Sequence, residues 1–182
     1  VLYMKIYFIG SHSVGKTTLS KYFSQKLSLS LLPEIARSIL IEQELNLEAL
    51  RTDLDMVDRY QTDILLRQIS EEKKYENFVS DRSFDCLCYT AQHSRIFGKL
   101  MRLPELATYI ETLKQPDVYL FFIRPSKATM KNDGVRESVN WDGIIAIDSM
   151  CKMLLELFEL KYYQINSDSM QERVKLIEGI IK

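Results

Sequence analysis

Residues 10–18 read Gly10-Ser11-His12-Ser13-Val14-Gly15-Lys16-Thr17-Thr18, and the first eight match the phosphate-binding loop pattern G-x-x-x-x-G-K-[ST] at every fixed position. The segment before them, Met4 to Ile9, is dense in β-branched and aromatic residues and predicts a buried strand. Apolar residues then recur at helical spacing, at Leu19, Tyr22, Phe23 and Leu27. A strand, a glycine-bounded loop and a helix let backbone N–H groups surround a polyphosphate. The sequence therefore predicts a nucleoside triphosphate site, and the alternative is a glycine-rich turn with a surface lysine.

The chemistry of phosphate binding accounts for the residue types in this loop. Gly10 and Gly15 allow backbone angles and a close approach that a Cβ would obstruct. Lys16 places a compact positive charge against the β- and γ-phosphates, and the Thr17 hydroxyl is suited to ligate Mg²⁺. We assign residues 10–18 to ATP binding, with Thr18 as the next helical residue and His12 as a variable loop position with no role as a base.

Composition limits the class of protein. The 182 residues suit one domain, and the net charge of −1 provides no overall basic field to attract nucleic acid, although a local basic groove stays open. The apolar runs are too short for a membrane span, and no secretory signal is seen. Cys86, Cys88 and Cys151 lack metal-type or disulfide-framework spacing, which favours reduced thiols in a cytoplasmic protein. The sequence leaves open whether the chain forms a homodimer.

Strand and helix patterns alternate along the chain. This order predicts an α/β fold with a parallel sheet covered on both faces and a ligand at the carboxyl ends of the strands. Extended segments are predicted at about 3–9, 29–33, 77–80, 118–123 and 162–165, and helices at about 16–27, 34–45 and 51–74 and from residues 84, 104, 144 and 169 onward.

Two acidic boxes follow predicted strands. After the third strand, Asp81 could hold the Mg²⁺ shell or accept a proton, and Arg82 could contact phosphate oxygens; the alternative is a helix cap beside a solvated arginine. Asp85, one turn on, could face the same cleft or be a favourable first-turn acid. After the second strand, Glu34 could deprotonate a substrate hydroxyl, with Arg37 on the same helical face; the alternative is a surface pair.

Two further features of the sequence concern the molecule that would accept the phosphoryl group and a lid over the site. Gln61, in the long predicted helix, could hydrogen-bond a base edge. The polar stretch from Arg124 to Arg136 contains basic residues around Asp133-Gly134 and predicts a mobile lid over about 124–140 that closes on the transferring phosphoryl group. The alternative is a solvated loop.

Together the motifs resemble a known family. The loop, the Pro33-Glu34-Ile35-Ala36-Arg37 box, the segment from Asp81 to Thr90 and the Asp133-Gly134-Val135-Arg136 box are similar to the AAA-domain group of small P-loop proteins. That group is related to the nicotinamide riboside kinase domain of bacterial NAD regulators and is often carried by phages and bacteria. Asp81-Arg82-Ser83 also resembles the matching strand end of thymidylate and deoxynucleoside kinases.

The resemblance implies a P-loop fold with a five-stranded parallel sheet of the nucleoside/nucleotide-kinase type. It implies that Glu34 and Asp81 flank the acceptor and that Arg136 belongs to the lid. Lys16, Glu34, Asp81, Arg82 and Arg136 are then the expected catalytic residues, and Thr17 and Asp81 the Mg²⁺ ligands. The expected substrate-binding residues are Glu34, Arg37, Gln61, Arg82 and Asp85.

The favoured function is an ATP- and Mg²⁺-dependent kinase of a nucleotide or nucleoside. A (deoxy)nucleoside monophosphate is preferred, because Arg37, Arg82 and Arg136 could hold its phosphate. Nicotinamide riboside or another nucleoside, and a polynucleotide end or modified base, are alternative acceptors. A P-loop switch module is less favoured, because the chain lacks an Asn-Lys-x-Asp guanine motif and its third strand ends in Asp-Arg, not Asp-Glu.

Overall fold

The computed structural model describes residues 3–43, 49–128 and 140–182, and in this part of the chain five strands form one parallel sheet in the order β2-β3-β1-β4-β5. The strands are β1 Lys5–Ile9, β2 Ser30–Leu31, β3 Phe78–Ser80, β4 Val118–Ile123 and β5 Tyr163–Ile165. The helices are α1 Lys16–Leu27, α2 Ile35–Glu42, α3 Ala49–Thr52, α4 Leu54–Glu72, α5 Asp85–His93, α6 Phe97–Leu100, α7 Pro104–Leu113, α8 Trp141–Leu157 and α9 Met170–Ile181.

The two central strands supply both halves of the core. Successive strand residues point to opposite faces, so Tyr7 of β1 and Phe122 of β4 pack in a cluster with α2, α4, α5, α7 and α8. Phe8 and Phe121 pack on the other face with α1 and α9, and their rings stack with centroids 5.7 Å apart. All four side chains are almost completely buried. The predicted α/β class, with a five-stranded parallel sheet and helices on both faces, is therefore confirmed.

Most predicted elements agree with the structure, and the differences have local causes. The predicted helix over 51–74 is two helices, because Asp53 caps α4 by accepting a hydrogen bond from the Met56 amide at 3.0 Å. The short helix α6 was not predicted. At α9, Ser169 accepts from the Glu172 amide as the capping-box pattern requires, but the Ser169 amide donates to Ser167 Oγ instead of to Glu172.

The three cysteines are free thiols in the structure. Cys88 on α5 and Cys151 on α8 are buried with their Sγ atoms 3.3 Å apart. Across the described residues, no helix combines the length and apolar character that a membrane crossing requires.

Candidate active site

The loop between β1 and α1 follows a backbone path that requires its two glycines. A Cβ on Gly10 would lie 2.5 Å from the carbonyl oxygen of Ile123, at the end of β4. Gly15 has a φ of +92°, in the region that favours glycine, and it begins α1. The loop therefore sits against the carboxyl ends of β1 and β4, where ligands of parallel α/β proteins bind.

Lys16 lies inside this loop. Its Nζ donates to the carbonyl oxygens of Gly10 at 2.7 Å and Ser11 at 2.5 Å, and the side chain is 8 % exposed. Burial lowers the pKa of Lys16, while the nearby Asp85 carboxylate opposes that shift. The loop thus holds a cation at the position where the pattern places the β- and γ-phosphates, so the residues present fit a polyphosphate.

Thr17 and Asp81 meet at the mouth of the loop, as their assignment to one metal shell predicts. Thr17 Oγ1 donates to Asp81 Oδ2 at 2.8 Å. A hydroxyl and a carboxylate are the hard oxygen ligands that Mg²⁺ takes in nucleotide sites, with phosphates and water completing the shell. No cluster of three His, Cys, Asp or Glu side chains that could hold a metal occurs among the described residues, so these two oxygens suit a phosphate-bound ion better than a protein-only metal centre.

Asp85 is buried between the 81–83 segment and the phosphate loop, where the sequence had left open a place in the cleft or in the first turn of a helix. Its carboxylate is 1 % exposed and accepts from the Ser83 amide at 2.6 Å and the Gly10 amide at 3.4 Å. As the first residue of α5 it remains a first-turn acid, and it also ties β3 to the phosphate loop. The structure therefore shows Asp85 holding the loop, and its contact with substrate stays a prediction.

Glu34 and Arg82 come together at the carboxyl ends of β2 and β3. Glu34 precedes α2 with extended backbone angles, and its Oε1 lies 3.6 Å from an Arg82 terminal nitrogen. Burial opposes the charge on Arg82, but the Asp85 and Asp81 carboxylates outweigh it and raise the pKa of Arg82. Arg37, expected to share a face with Glu34, is exposed and forms no ion pair with a described residue.

Four buried polar atoms lack a hydrogen-bond partner among the described residues, and they belong to the loop, to Arg82 and to helices α4 and α5. They are Ser11 Oγ, Gln61 Oε1, Arg82 Nε and Tyr89 Oη. The Tyr89 ring contacts the ring of the loop residue His12, with centroids 4.7 Å apart. Sequence analysis assigned no individual role to Tyr89, which lies within the Asp81 to Thr90 segment that carries the family resemblance.

Arg173 is a second residue that sequence analysis missed. Its buried guanidinium donates to the carbonyl oxygens of Val14 in the loop, Ser167 and Arg124. It thereby joins α9 to the loop and to the segment after β4. An arginine on the apolar face of α9, between Met170 and Ile177, was the available signal.

The start of the predicted lid is fixed to the rest of the fold. Arg124 pairs with Asp148 of α8 through three contacts of 2.9–3.0 Å, and its amide donates to the Ile165 carbonyl. Lys127 Nζ lies 5.2 Å from the centre of the Trp141 ring. Arg136 and most of the predicted lid, residues 129–139, lie outside the described residues.

Comparison with models of protein families shows which family this chain belongs to. A family model described as an AAA domain matches residues 5–173. The chain belongs to this AAA-domain family. A search of curated proteins gives no match to this AAA-domain chain.

Solved structures of small-molecule kinases share the fold. Deoxyadenosine kinase from M. mycoides, with products dCMP and dCDP bound, is 18% identical with a TM-score of 0.66 and 98% of each chain covered. The NadR protein in complex with NR is 16% identical with a TM-score of 0.69, over 91% of this chain and 46% of NadR. Shikimate kinase from Acinetobacter baumannii, with shikimate, is 15% identical with a TM-score of 0.55, over 98% of this chain and 93% of the other. These likenesses confirm the predicted kinase-type P-loop fold and the suspected relationships.

Proposed function

We propose that this AAA-domain protein is an ATP- and Mg²⁺-dependent kinase that phosphorylates a hydroxyl group of a nucleoside. The observation that carries the proposal is the Glu34 carboxylate, which stands beside Arg82 at the same edge of the sheet as the phosphate loop. A hydroxyl acceptor needs a group that takes its proton, and a carboxylate within reach of the reacting oxygen can do so.

The phosphate loop and Asp81 supply the groups that would bind ATP, the phosphoryl donor. Lys16 would exchange its bonds to the Gly10 and Ser11 carbonyls for phosphate oxygens, since an anion attracts the ammonium more strongly than a neutral carbonyl does. Thr17 and Asp81 would hold Mg²⁺, which would neutralise charge on the β- and γ-phosphates. Phosphoryl transfer leaves the protein mainly positioning and electrostatic work, which these three side chains can perform.

The charges around Arg82 favour a hydroxyl acceptor over the monophosphate preferred from the sequence. The carboxylates of Glu34, Asp81 and Asp85 all act on this one guanidinium. Its charge is thus already compensated, and Glu34, whose side chain is 43% exposed, would repel an incoming phosphate. A neutral nucleoside avoids that repulsion and gains a base.

Two buried polar atoms without a hydrogen-bond partner among the described residues support a nucleoside as the acceptor. Gln61 Oε1 and Tyr89 Oη are buried without partners, and a base edge and a sugar hydroxyl are the kinds of group that could satisfy them. The names of two structural neighbours support the same class of acceptor. One is a deoxyadenosine kinase, and the other is NadR in complex with NR.

A nucleoside monophosphate remains the second candidate because of one observation. Arg82 Nε is a buried donor without a partner, and it could bind a phosphate oxygen together with Arg37 and Arg136. A polynucleotide end and a non-kinase switch are retained as outcomes of the tests below.

The test compares Glu34→Gln with Arg37→Ala on the best acceptor. For a hydroxyl acceptor we expect Glu34→Gln to lower kcat by about 10²–10⁴ with little change in ATP affinity, and Arg37→Ala to have little effect. For a monophosphate, Arg37→Ala should raise the acceptor KM while Glu34→Gln matters less. Glu42→Gln is the matched control, because Glu42 is an exposed residue of α2 that pairs with Arg67, not with Arg82. If neither Glu34→Gln nor Arg37→Ala changes the kinetics, the proposed acceptor site is wrong.

A further inference from the structure

A buried carboxyl group lies away from the proposed catalytic side chains. Glu72 ends α4 and is 7 % exposed. Three donors surround it: the Tyr7 hydroxyl at 2.6 Å, the Tyr109 hydroxyl at 2.7 Å and the Gln68 amide at 2.8 Å. Buried carboxylates persist only when such donors compensate them. Nothing in the phosphate loop or the acceptor cleft touches this group directly, so neither part of the proposed mechanism accounts for it.

Two hydrogen-bonded branches run from Glu72 to the 81–83 turn, which carries Asp81, Arg82 and Ser83. In the first, the Tyr109 hydroxyl that bonds Glu72 also lies 2.7 Å from Ser83 Oγ. In the second, the Gln68 amide lies 3.4 Å from both Ser80 Oγ and the Arg82 carbonyl. Both branches end on the segment that supplies the proposed Mg²⁺ ligand.

The first branch continues to the phosphate loop. The Ser83 amide donates to Asp85, and Asp85 accepts from the Gly10 amide. The orientation of Ser83 is therefore linked to the backbone of the loop through one buried carboxylate. A change in the charge of Glu72 can therefore affect the loop through these hydrogen bonds, although Glu72 itself contacts no phosphate.

The charge of Glu72 fixes the direction of the protons in the first branch. Tyr109 has one hydroxyl proton, and it points to Glu72 when the carboxyl is ionised. Ser83 must then donate to Tyr109. A protonated Glu72 has to donate, and its neighbours Tyr7 and Tyr109 are the groups that can accept. Protonation thus reverses the bond to Tyr7 or the bond to Tyr109, and reversal at Tyr109 loosens the hold of the first branch on the 81–83 turn.

Glu72 can exchange protons at working pH. Burial raises its pKa to about 7, and the bonds from Tyr7, Gln68 and Tyr109 limit the rise. A cavity of about 300 Å³ beside Glu72 reaches the exposed residues Lys73 and Glu105, so protons need not cross the phosphate site. The titratable or charged groups around this cavity are Lys5 and Tyr7 of β1, Lys73 after α4, and Glu105 and Tyr109 of α7.

We propose that Glu72 is a positioning residue for phosphoryl transfer, and that its ionised form orients the 81–83 turn through these hydrogen bonds. The rate effect rests on the proposed function. The effect on Mg²⁺-dependent ATP affinity does not, because it needs no acceptor. The ionised form predominates above about pH 7, so the contribution of Glu72 should be lost as the pH falls through that value.

The kinetic experiment follows the ratio of kcat in Glu72→Gln to kcat in wild type across this pH range. A glutamine at position 72 is uncharged and carries an NH2 group that has to donate, so it resembles the protonated state at every pH. We expect the ratio to be about 0.1 near pH 8, to rise to about 0.5 near pH 6 and to approach 1 at lower pH, since residues that orient metal-site groups contribute about 10- to 100-fold. The ratio cancels the titration of the other catalytic groups. Tyr109→Phe, which cuts the first branch, should show the same trend and covers the case in which Glu72→Gln does not fold.

Glu105→Gln is the matched control, because Glu105 lines the same cavity but is exposed. Its ratio should stay near 1 throughout. A ratio for Glu72→Gln that does not change with pH overturns the proposal, whatever its size. If wild type phosphorylates no acceptor, the proposed function fails. Titration calorimetry of Mg²⁺·ATP binding then tests the positioning role of Glu72 by itself. Mg²⁺·ATP affinity in Glu72→Gln should be about tenfold weaker than in wild type near pH 8 and only about twofold weaker near pH 6. If Glu72→Gln and wild type bind Mg²⁺·ATP with equal affinity at both pH values, the proposal is overturned.

Discussion

Lys16 shows at the scale of one residue how the chain prepares for a polyphosphate. Its ammonium bonds two loop carbonyls and is buried, so the charge that we propose to meet the γ-phosphate is already in position. We expect Lys16→Ala to lower phosphoryl transfer by about 10²–10³, the cost of removing one donor that meets transition-state charge. Steady-state kinetics with saturating ATP measures this.

Lys21→Ala is the control for Lys16→Ala, since Lys21 is an exposed residue on the same helix. Circular dichroism should show the same helix content in both variants and in wild type. Wild-type turnover in a folded Lys16→Ala protein would remove Lys16 from the donor site.

Thr17 and Thr18 form a natural pair for testing the metal assignment. They are adjacent and exposed on α1, but only Thr17 Oγ1 is bonded to Asp81. Thr17→Val should raise the Mg²⁺ concentration needed for half-maximal activity by about tenfold or more, while Thr18→Val should not change it. Magnesium titrations at fixed ATP compare the two, and an equal effect in both variants would contradict the assignment.

Residues whose role depends on local sequence could be predicted, and residues whose role depends on packing could not. The loop pattern names Gly10, Lys16 and Thr17 because their spacing along the chain sets their geometry. Arg173 acts on the loop from 159 positions away, and the sequence does not encode that distance. For Asp85 the sequence left two positions open, and only the folded chain shows that its carboxylate accepts from the Gly10 amide.

At the scale of the elements, the anchor between Arg124 and Asp148 sets where a lid could begin. Asp148 is 2 % exposed, and its two oxygens accept from the Arg124 guanidinium. We expect Asp148→Asn to reduce the free energy of unfolding by about 2 kcal/mol, in the range for a hydrogen bond to a charged group. Denaturant unfolding measures the change, with Asp142→Asn at the exposed start of α8 as the control.

Hydrogen exchange gives a second readout for the same anchor. The Arg124 amide donates to the Ile165 carbonyl, so it should be protected without ligand and become less protected in Asp148→Asn. If that amide exchanges as fast as an exposed loop residue in wild type, the expected lid extends back to residue 124 as the sequence suggested.

The elements themselves were predictable where one pattern dominates. β4 is a fully apolar run, and its predicted bounds match the structure, as do those of α1. The boundary at Asp53 was missed, because apolar periodicity continues across it while a capping bond begins a new helix there. The four-residue α6 is too short for a periodic pattern to indicate it.

For the molecule as a whole, Glu72 links pH to stability. Its pKa is about 7 in the folded chain and 4.5 in an ordinary environment, so the folded state binds more protons between these values. The free energy of unfolding should therefore fall as pH rises from about 4.5 to about 7 and then level off. Relative to Glu72→Gln, wild type should lose about 3 kcal/mol over that range. Urea unfolding near pH 5 and pH 8 tests this, and an unchanged difference would show that the carboxyl does not titrate there.

The central claim is that the phosphate loop and the edge beside Glu34 together transfer phosphate from ATP to a nucleoside. The most direct measurement incubates the protein with Mg²⁺ and γ-labelled ATP and offers nucleosides, including nicotinamide riboside, alongside nucleoside monophosphates and a polynucleotide with a 5′-hydroxyl end. We predict that label appears on a nucleoside and that Glu34→Gln abolishes most of this transfer. Label confined to a monophosphate would contradict the hydroxyl assignment, and label confined to the polynucleotide would contradict the assignment of a nucleoside as acceptor. Nucleotide binding with no transfer to any acceptor would contradict the kinase itself and favour a switch module.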